Sequence, residues 1–448
     1  MAVPGVRKIN VFLQPCLDII NLFGKRYRII FNTDKTKLVV TGSKTDMNYY
    51  RDISPWTLNS DKISVVDDNE HLGLVVSGQD EELKNIDANI HDCRKSLFGL
   101  LGPAYAHKCL LPPTVQAHLW RTYNLPILRS GLASLPIRPA IIGPLKVFHN
   151  KILRSFLKLS KSSPIPALYF LLGELPIEAR LHQDILSLFY NIWSNPDTTI
   201  HSVVKYLVQM AENSSVTWSA HLRILCMRYN LPSPLQLLSS DQVWEKSRWA
   251  TLTNTRITAF FENNLRKDAL KNSKMEYLNV QVLGLSGIPH PALLNINTTQ
   301  EVVKARQHIK LLSGDFLTAE RLAEDQGTNP QCKLCLAPVE NTVHILTKCK
   351  ATADIHRRML PELLNTVLQV EPNCAILLDS RTKWLTQFIL DCTSLNLPAA
   401  HRIAAHNPHV GKVFTVARNW CYGATKARAR LLQQLKKNQS HRKHSIQR

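Results

Sequence analysis

Three cysteines and one histidine lie within 18 residues in the spacing C-x2-C-x8-H-x4-C: Cys332, Cys335, His344 and Cys349. A C-x2-C turn directs both sulfurs toward one centre, and helical positions five apart can face the same ion. Three thiolates and one imidazole complete a tetrahedral shell with no place for a catalytic water, so we predict a structural zinc ion. A redox-active C-x2-C pair is the alternative, and it would require neither His344 nor Cys349.

The other cysteines are spread along a chain of 448 residues that contains ten cysteines in all. The first residues show no cationic stretch followed by an apolar one, so we expect no secretory signal. No apolar run approaches about 18 residues, which predicts that the chain has no membrane span. These features favour free thiols in a reducing compartment, and we expect an intracellular protein of the nucleus, the cytoplasm or both.

The charge of the chain is strongly positive and uneven. Lys and Arg number 55 against 34 Asp and Glu, a net charge of +21, and residues 392–448 carry 11 of the cations and no acid. This pattern is typical of proteins that bind RNA or DNA, and a solvated basic surface is the alternative. The predicted nucleic-acid contacts lie around the cysteine cluster and in the C-terminal region: Lys333, Lys348, Lys350, Lys412, Arg418, Lys426, Arg428 and Arg430.

Aromatic and histidine residues are interleaved with the C-terminal cations. The helical period of residues 413, 416, 420 and 424 predicts that Trp420 packs in the core, while the Lys and Arg face remains free to touch nucleic acid. His401, His406 and His409 could suggest a second metal site. No Cys or carboxylate completes a shell there, so we expect them to be surface residues.

The N-terminal residues alternate between helical and strand patterns. A helical pattern ends near Gly24, and β-rich segments follow at 27–31, 37–41, 63–66 and 71–76, which predicts a small mixed α/β unit. From residue 80 onward the pattern is mainly helical, and frequent prolines cut it into short helices.

Two motifs and their order along the chain resemble those of a known enzyme family. The segment Asn32–Val40 reads N-x-x-K-T-K and is followed by His71-Leu72-Gly73. A Trp-containing segment at 119–128 and the segment 311–317 then precede the C-x2-C…H-x4-C pattern. This succession resembles the C-terminal part of the reverse transcriptases of non-LTR (LINE-type) retrotransposons, and the resemblance covers most of the chain.

The resemblance implies a mainly α fold with a small N-terminal α/β palm remnant, a helical thumb and connector, and a small zinc knuckle. The predicted divisions are a late palm at 1–78, a thumb at 79–163, a connector at 164–326, a zinc knuckle at 327–352, a helical basic region at 353–431 and a disordered basic tail at 432–448.

Two residues of the N-terminal unit acquire roles through the resemblance. Lys35 would approach the incoming triphosphate, and the strand of Gly73 would lie near the primer end. A glycine there permits close approach of a nucleic-acid backbone, because it has no Cβ. From the residues alone, Lys35 is equally well a turn lysine and Gly73 equally well a bulge.

The carboxylates that such polymerases need are missing from this chain. The family holds two metal ions with an early palm carboxylate and an F/Y-A-D-D hairpin upstream of the N-x-x-K-T strand, yet Asp18 is the only acid before Asp34. Asp67 and Asp68 follow that strand, so we predict that they are not catalytic. The sequence thus predicts a truncated derivative that binds RNA or DNA without polymerising. The alternatives are a helical protein-interaction module stapled by zinc, and a fragment of a longer active RNA-directed DNA polymerase.

Overall fold

The computed structural model describes residues 9–40, 48–51, 56–106, 110–136, 141–211, 217–240, 242–370, 382–394 and 408–446. Most of them are helical, which confirms the prediction of a mainly α chain with small sheets at its N-terminal end. Within these ranges, none of the helices combines the length and the apolar character that a membrane crossing requires.

The first helix, α1 (Ile9–Tyr27), extends beyond the end predicted at Gly24. Its last turn closes when Ile29 N–H donates to the Gly24 carbonyl at 2.8 Å, with Arg28 in the left-handed region at a φ of 56°. A Cβ on Gly24 would lie 2.8 Å from the Ile29 carbonyl oxygen, so glycine allows the chain to fold back onto the helix. The strand predicted at 27–31 is therefore wrong: Tyr27 ends α1, Arg28 forms the turn after it, and residues 29–31 have no regular secondary structure.

The strands that the structure describes in the N-terminal unit form three separate two-stranded sheets. The parallel pair joins β1 (Lys37–Val39) to β4 (Ser64–Val66), and β2 (Thr57–Leu58) pairs antiparallel with β3 (Asp61–Lys62). The third is a hairpin of β5 (Asp68–His71) and β6 (Leu74–Ser77). A small separate core lies under these strands and α1, formed by Leu17, Tyr50, Trp56, Leu58 and Ile63.

The single strand predicted at 71–76 is instead the turn and second arm of the β5–β6 hairpin. Leu72 and Gly73 occupy the turn with φ values of 52° and 78°. Two consecutive positive φ values define the hairpin turn whose twist matches that of the flanking strands, and glycine adopts this backbone without strain. The extended strand expected at Gly73 is therefore a hairpin turn, and the contact of Gly73 with the primer end stays a prediction.

Helices dominate the chain after residue 80. Their bounds are α2 (Glu81–Ala106), α3 (Pro113–Leu119), α4 (Leu125–Arg129), α5 (Gly143–Leu157), α6 (Ile165–Leu172), α7 (Ile177–Trp193), α8 (Thr199–Met210), α9 (Trp218–Arg228), α10 (Pro234–Leu238), α11 (Lys246–Leu270), α12 (Thr299–Leu312), α13 (Ala319–Gln326), α14 (Ala353–Val370), α15 (Thr382–Leu390) and α16 (Pro408–Ile446).

Several of these helices carry a proline at their first or second position, where it fixes the helical φ and has no N–H to leave unpaired. The prolines are Pro113, Pro126, Pro144, Pro166 and Pro234. A π-helical turn at Trp120–Asn124 joins α3 to α4. One buried apolar cluster extends from Ile86 to Ala424, so residues on both sides of the predicted boundaries at 163, 326 and 352 share a core. The boundaries themselves stay predictions.

The C-terminal helix α16 is anchored in this core by two large polar side chains. Arg418 is 1% exposed, and its guanidinium donates to the carbonyls of Ala292 at 3.1 Å, Leu294 at 2.8 Å and Asn295 at 3.3 Å. Trp420 is fully buried, as predicted, and its indole N–H donates to a carbonyl 74 residues earlier in the chain. The helix packs lengthwise against α12 and α14.

The tail predicted to be disordered from residue 432 is helical as far as Ile446, and residues 447–448 lie outside the described part. No Gly or Pro follows Gly423, and the end of the chain is rich in Leu, Gln, Lys and Arg, which favour helix. Residues 433–438 are exposed, so this end of α16 extends beyond the core.

We predict that Arg418 is a structural residue. Arg418→Ala should lower the free energy of unfolding by about 2–3 kcal/mol, since three carbonyls lose a charged donor in a buried place. Arg430→Ala, on an exposed position of the same helix, should cost less than about 0.5 kcal/mol. Urea denaturation followed by circular dichroism measures both values, and equal losses in the two variants would contradict the assignment.

Candidate metal centre

The first two cysteines lie in a tight turn that the backbone closes by itself. Cys332 N–H donates to the Ala337 carbonyl and Leu336 N–H donates to the Cys332 carbonyl, both at 2.9 Å. Leu336 takes the left-handed conformation with a φ of 62°. Farther out, Glu340 N–H donates to the Pro330 carbonyl at 2.8 Å. This turn brings the Cys332 and Cys335 side chains to one side of the loop.

The other two residues of the pattern lie at the ends of one short turn. His344–Lys348 is a single π-helical turn, and Cys349 N–H closes it by donating to the His344 carbonyl at 2.8 Å. The side chain of Asn341 accepts from His344 N–H at 3.0 Å and fixes the start of the turn. A 3₁₀ turn, Lys350–Thr352, then leads directly into α14.

The four side chains meet at one point. The ligand atoms of Cys332, Cys335, His344 and Cys349 all lie within 4.8 Å of one another. Cys335 Sγ is 3.9 Å from Cys349 Sγ and 3.4 Å from His344 Nε2. A tetrahedral zinc-type site would place two sulfurs about 3.8 Å apart, and a sulfur and a nitrogen about 3.6 Å apart. The predicted ligand set is therefore brought together, and its geometry fits one bound metal ion.

Burial disfavours the charged forms of Cys332, His344 and Cys349, whereas hydrogen bonds hold the pKa of the Cys335 thiol below its ordinary value in spite of burial. Burial raises the pKa of the Cys332 thiol to about 12, although the backbone amides of Leu334 and Cys335 act in the opposite direction. Burial also lowers the pKa of His344, with Glu340 acting against it, so the imidazole is neutral at pH 7. A neutral imidazole is the form that binds a metal, and a divalent ion supplies the positive charge that the thiolates lack.

A buried carboxylate connects this cluster with two helices. Glu340 is 2% exposed, and its Oε1 accepts the Ala319 N–H at 3.1 Å at the start of α13. The same oxygen is ion-paired with Arg428 on α16. Its side chain also forms a hydrogen bond with Cys332. Burial alone would raise the pKa of Glu340, but the bond and the charge of Arg428 hold it below its ordinary value.

Glu340 was not among the residues singled out from the sequence. Its partners Ala319 and Arg428 lie 21 and 88 residues away in the chain, so no local pattern could have indicated it. Trp420 strengthens the same connection, because its indole N–H donates to the Leu346 carbonyl at 3.0 Å, between His344 and Cys349 of the cluster.

The cations predicted to contact nucleic acid divide into two groups. Those with exposed side chains are Lys333, Lys348, Lys350, Lys412, Lys426 and Arg430. Arg418 is buried against backbone carbonyls, and Arg428 is held by Glu340. Their assignment as free phosphate contacts is therefore wrong for Arg418 and incomplete for Arg428, whose guanidinium is committed to a structural ion pair.

The two residues named from the family motifs lie in turns of the N-terminal unit. Lys35 is exposed, and its backbone N–H donates to the Asn32 side chain at 3.0 Å within the turn Asn32–Thr36. Gly73 lies at the tip of the β5–β6 hairpin, where a Cβ would meet no other heavy atom within 4 Å. Their proposed contacts with triphosphate and primer stay predictions.

The adjacent carboxylates of the N-terminal unit are both paired with cations. Asp67 is ion-paired with Arg51, and Asp68 Oδ2 lies 2.7 Å from Lys84 Nζ. Within the described ranges, the Cys3His cluster is the only group of three or more His, Cys, Asp and Glu whose ligand atoms converge. His401 and His406 lie outside those ranges, as does the side chain of His409.

Comparison of the chain with protein-family models, with curated proteins and with solved structures found no match. The resemblance to non-LTR reverse transcriptases therefore rests on the sequence motifs and their order alone. The Cys3His cluster does not depend on this resemblance, because the distances among its ligand atoms come from the fold of this chain.

We predict one divalent metal ion per chain after purification under reducing conditions without chelator. His344→Ala and Cys335→Ser should lose the ion, because structural sites need the complete shell. Cys16→Ser, which changes an exposed thiol outside the cluster, should retain it. Elemental analysis of the three variants and the parent measures the stoichiometry. A metal-free parent protein, or equal metal content in all four, would contradict the assignment.

Proposed function

We propose that the chain is a zinc-stapled protein that binds RNA or DNA without polymerising. The observation that carries this proposal is the charge of α16. This 39-residue helix contains nine Lys and Arg and no acid, and much of its basic surface is exposed. Cations held on a rigid helix gain affinity for phosphates by releasing the counterions that surround nucleic acid.

The proposal takes zinc as the metal, since three thiolates and one imidazole in a closed tetrahedral arrangement are the ligands typical of structural zinc. Zinc would lock the segment that carries Lys333, Lys348 and Lys350, whose side chains are all exposed. The same elemental analysis distinguishes zinc from other metals. Binding energy at such a site is folding energy, so the ion would hold the C-terminal region together rather than perform chemistry.

The proposal retains the derivation from the C-terminal part of a non-LTR reverse transcriptase, on the basis of the motif order. The ion pairs of Asp67 and Asp68 with Arg51 and Lys84 support a structural role for these acids. The alternative is that the chain is a fragment of a longer RNA-directed DNA polymerase, in which another part of the protein supplies the polymerase site.

One observation favours the alternative of a protein-interaction module. The helix α8 exposes a row of apolar side chains, each between 46% and 65% exposed: Ile200, Val203, Tyr206, Leu207 and Met210. Such contiguous apolar surface often marks contact with another protein. This contact would be weakly dependent on salt, whereas phosphate contacts are steeply dependent on it.

We predict that the dissociation constant for a fluorescent single-stranded RNA rises steeply with KCl, as measured by anisotropy. The triple variant Arg430→Gln, Lys436→Gln, Lys437→Gln should reduce the logarithmic salt slope by about two, since each phosphate contact on a single strand contributes about 0.7. These three positions are exposed on α16.

A matched control removes the same charge elsewhere, from exposed lysines of other segments: Lys62, Lys161 and Lys271. This control should change the slope by less than about one, because random surface cations make few phosphate contacts. Equal changes in the two triple variants would remove α16 from the binding surface. Failure of the parent protein to bind RNA and DNA at low salt would contradict the proposed function.

A further inference from the structure

A groove of about 490 Å³ lies between the end of α12, the loop that follows it and the middle of α16. Its volume is within the range typical of pockets for small organic ligands. The lining combines cations, aromatic rings and polar groups: Gln307, Lys310, Asp315, Phe316, Leu317, Tyr422, Thr425, Lys426, Arg428 and Ala429.

The lining of this groove carries three cations and one acid. The acid, Asp315, is bonded to the turn that follows α5, where its carboxylate accepts hydrogen bonds from the Ser160 N–H at 2.8 Å and from the Ser160 hydroxyl. Arg428 is ion-paired with Glu340. Lys310 and Lys426 are the other two cations of the lining, and the side chain of Lys426 is exposed.

The aromatic residues of the groove offer flat surfaces beside these cations. Tyr422 is half-buried, and Lys426 Nζ lies 5.3 Å from the centre of its ring. The Arg428 guanidinium lies 5.6 Å from the ring centre of a second lining aromatic, Phe316, which is also half-buried. An aromatic ring held next to an ammonium group suits a planar ligand that carries a negative charge.

We propose that this groove binds one unstacked nucleotide of a single strand, with the base against Tyr422 and a phosphate at Lys310 and Lys426. This inference rests on the proposed function and specifies its ligand class. Bases of a single strand can leave their neighbours and stack on an aromatic side chain, with little dependence on sequence. The bases of a duplex are stacked inside the helix, so a duplex would meet only the cations.

The test compares the affinities of Tyr422→Leu for a single-stranded RNA and for a duplex of the same length. Leucine keeps most of the apolar volume and removes the ring, so single-strand affinity should fall about tenfold. Duplex affinity should stay within about twofold, because only phosphate contacts are involved. Tyr206→Leu, which removes an exposed ring from α8, should change neither affinity.

The charged part of the groove has its own matched pair on α16. Lys426→Gln should weaken single-strand binding more than Lys412→Gln, an exposed position outside the groove. A measurement without substitution guards against misfolding. A strand that contains 5-iodouridine should cross-link on irradiation to the peptide of Phe316 or to that of Tyr422, as identified by mass spectrometry.

The outcomes separate this inference from the proposed function. If the parent protein binds single strands, but Tyr422→Leu binds them equally well and the cross-links map elsewhere, the groove is not the nucleotide site and the proposed function stands. Equal weakening of single-strand and duplex binding would also overturn the inference. If the parent protein binds no nucleic acid, both fall together.

Discussion

The C-terminal half of the molecule depends on one buried carboxylate. Glu340 accepts a hydrogen bond from the N–H of Ala319 at the start of α13, contacts Cys332 of the Cys3His cluster and forms an ion pair with Arg428 of α16. A charge taken out of water is costly unless it is fully paired, so these three partners must stay in place together. The Cys3His cluster, α13 and α16 are thereby joined through the side chain of Glu340.

These contacts explain how the single helix α16 can contribute both to the core and to a basic surface. The buried side of α16 carries Arg418 and Trp420. Arg418 donates to backbone carbonyls of residues 292–295, and Trp420 donates to the carbonyl of Leu346, between His344 and Cys349. Its other side carries exposed cations, including Lys412, Lys426 and Arg430. Anchoring of one face fixes the positions of the charges on the other, and groups that are already fixed lose less conformational freedom when they bind a ligand.

The sequence predicted what depends on local spacing. The convergence of the three cysteines and one histidine, the mainly helical chain and the buried position of Trp420 follow from short-range patterns, and the structure has all three. The prediction failed for Arg418, because the carbonyls that it bonds lie more than 120 residues away in the chain. Its charge alone suggested a phosphate contact. The strand expected at 27–31 is instead the end of α1 and the irregular backbone after it, because Ile29 folds back to bond Gly24.

The central claim is that the metal cluster and the basic helix form one unit, and hydrogen exchange with and without metal tests it most directly. Removal of the ion by a chelator should increase amide exchange in residues 332–352. It should also increase exchange in the part of α16 from Trp420 to Arg428, because these two side chains bond to Leu346 and Glu340 of that segment. Exchange in α7, a core helix that lies much earlier in the chain than the cluster, should stay unchanged. Unaltered protection of α16 in the metal-free protein would contradict the account.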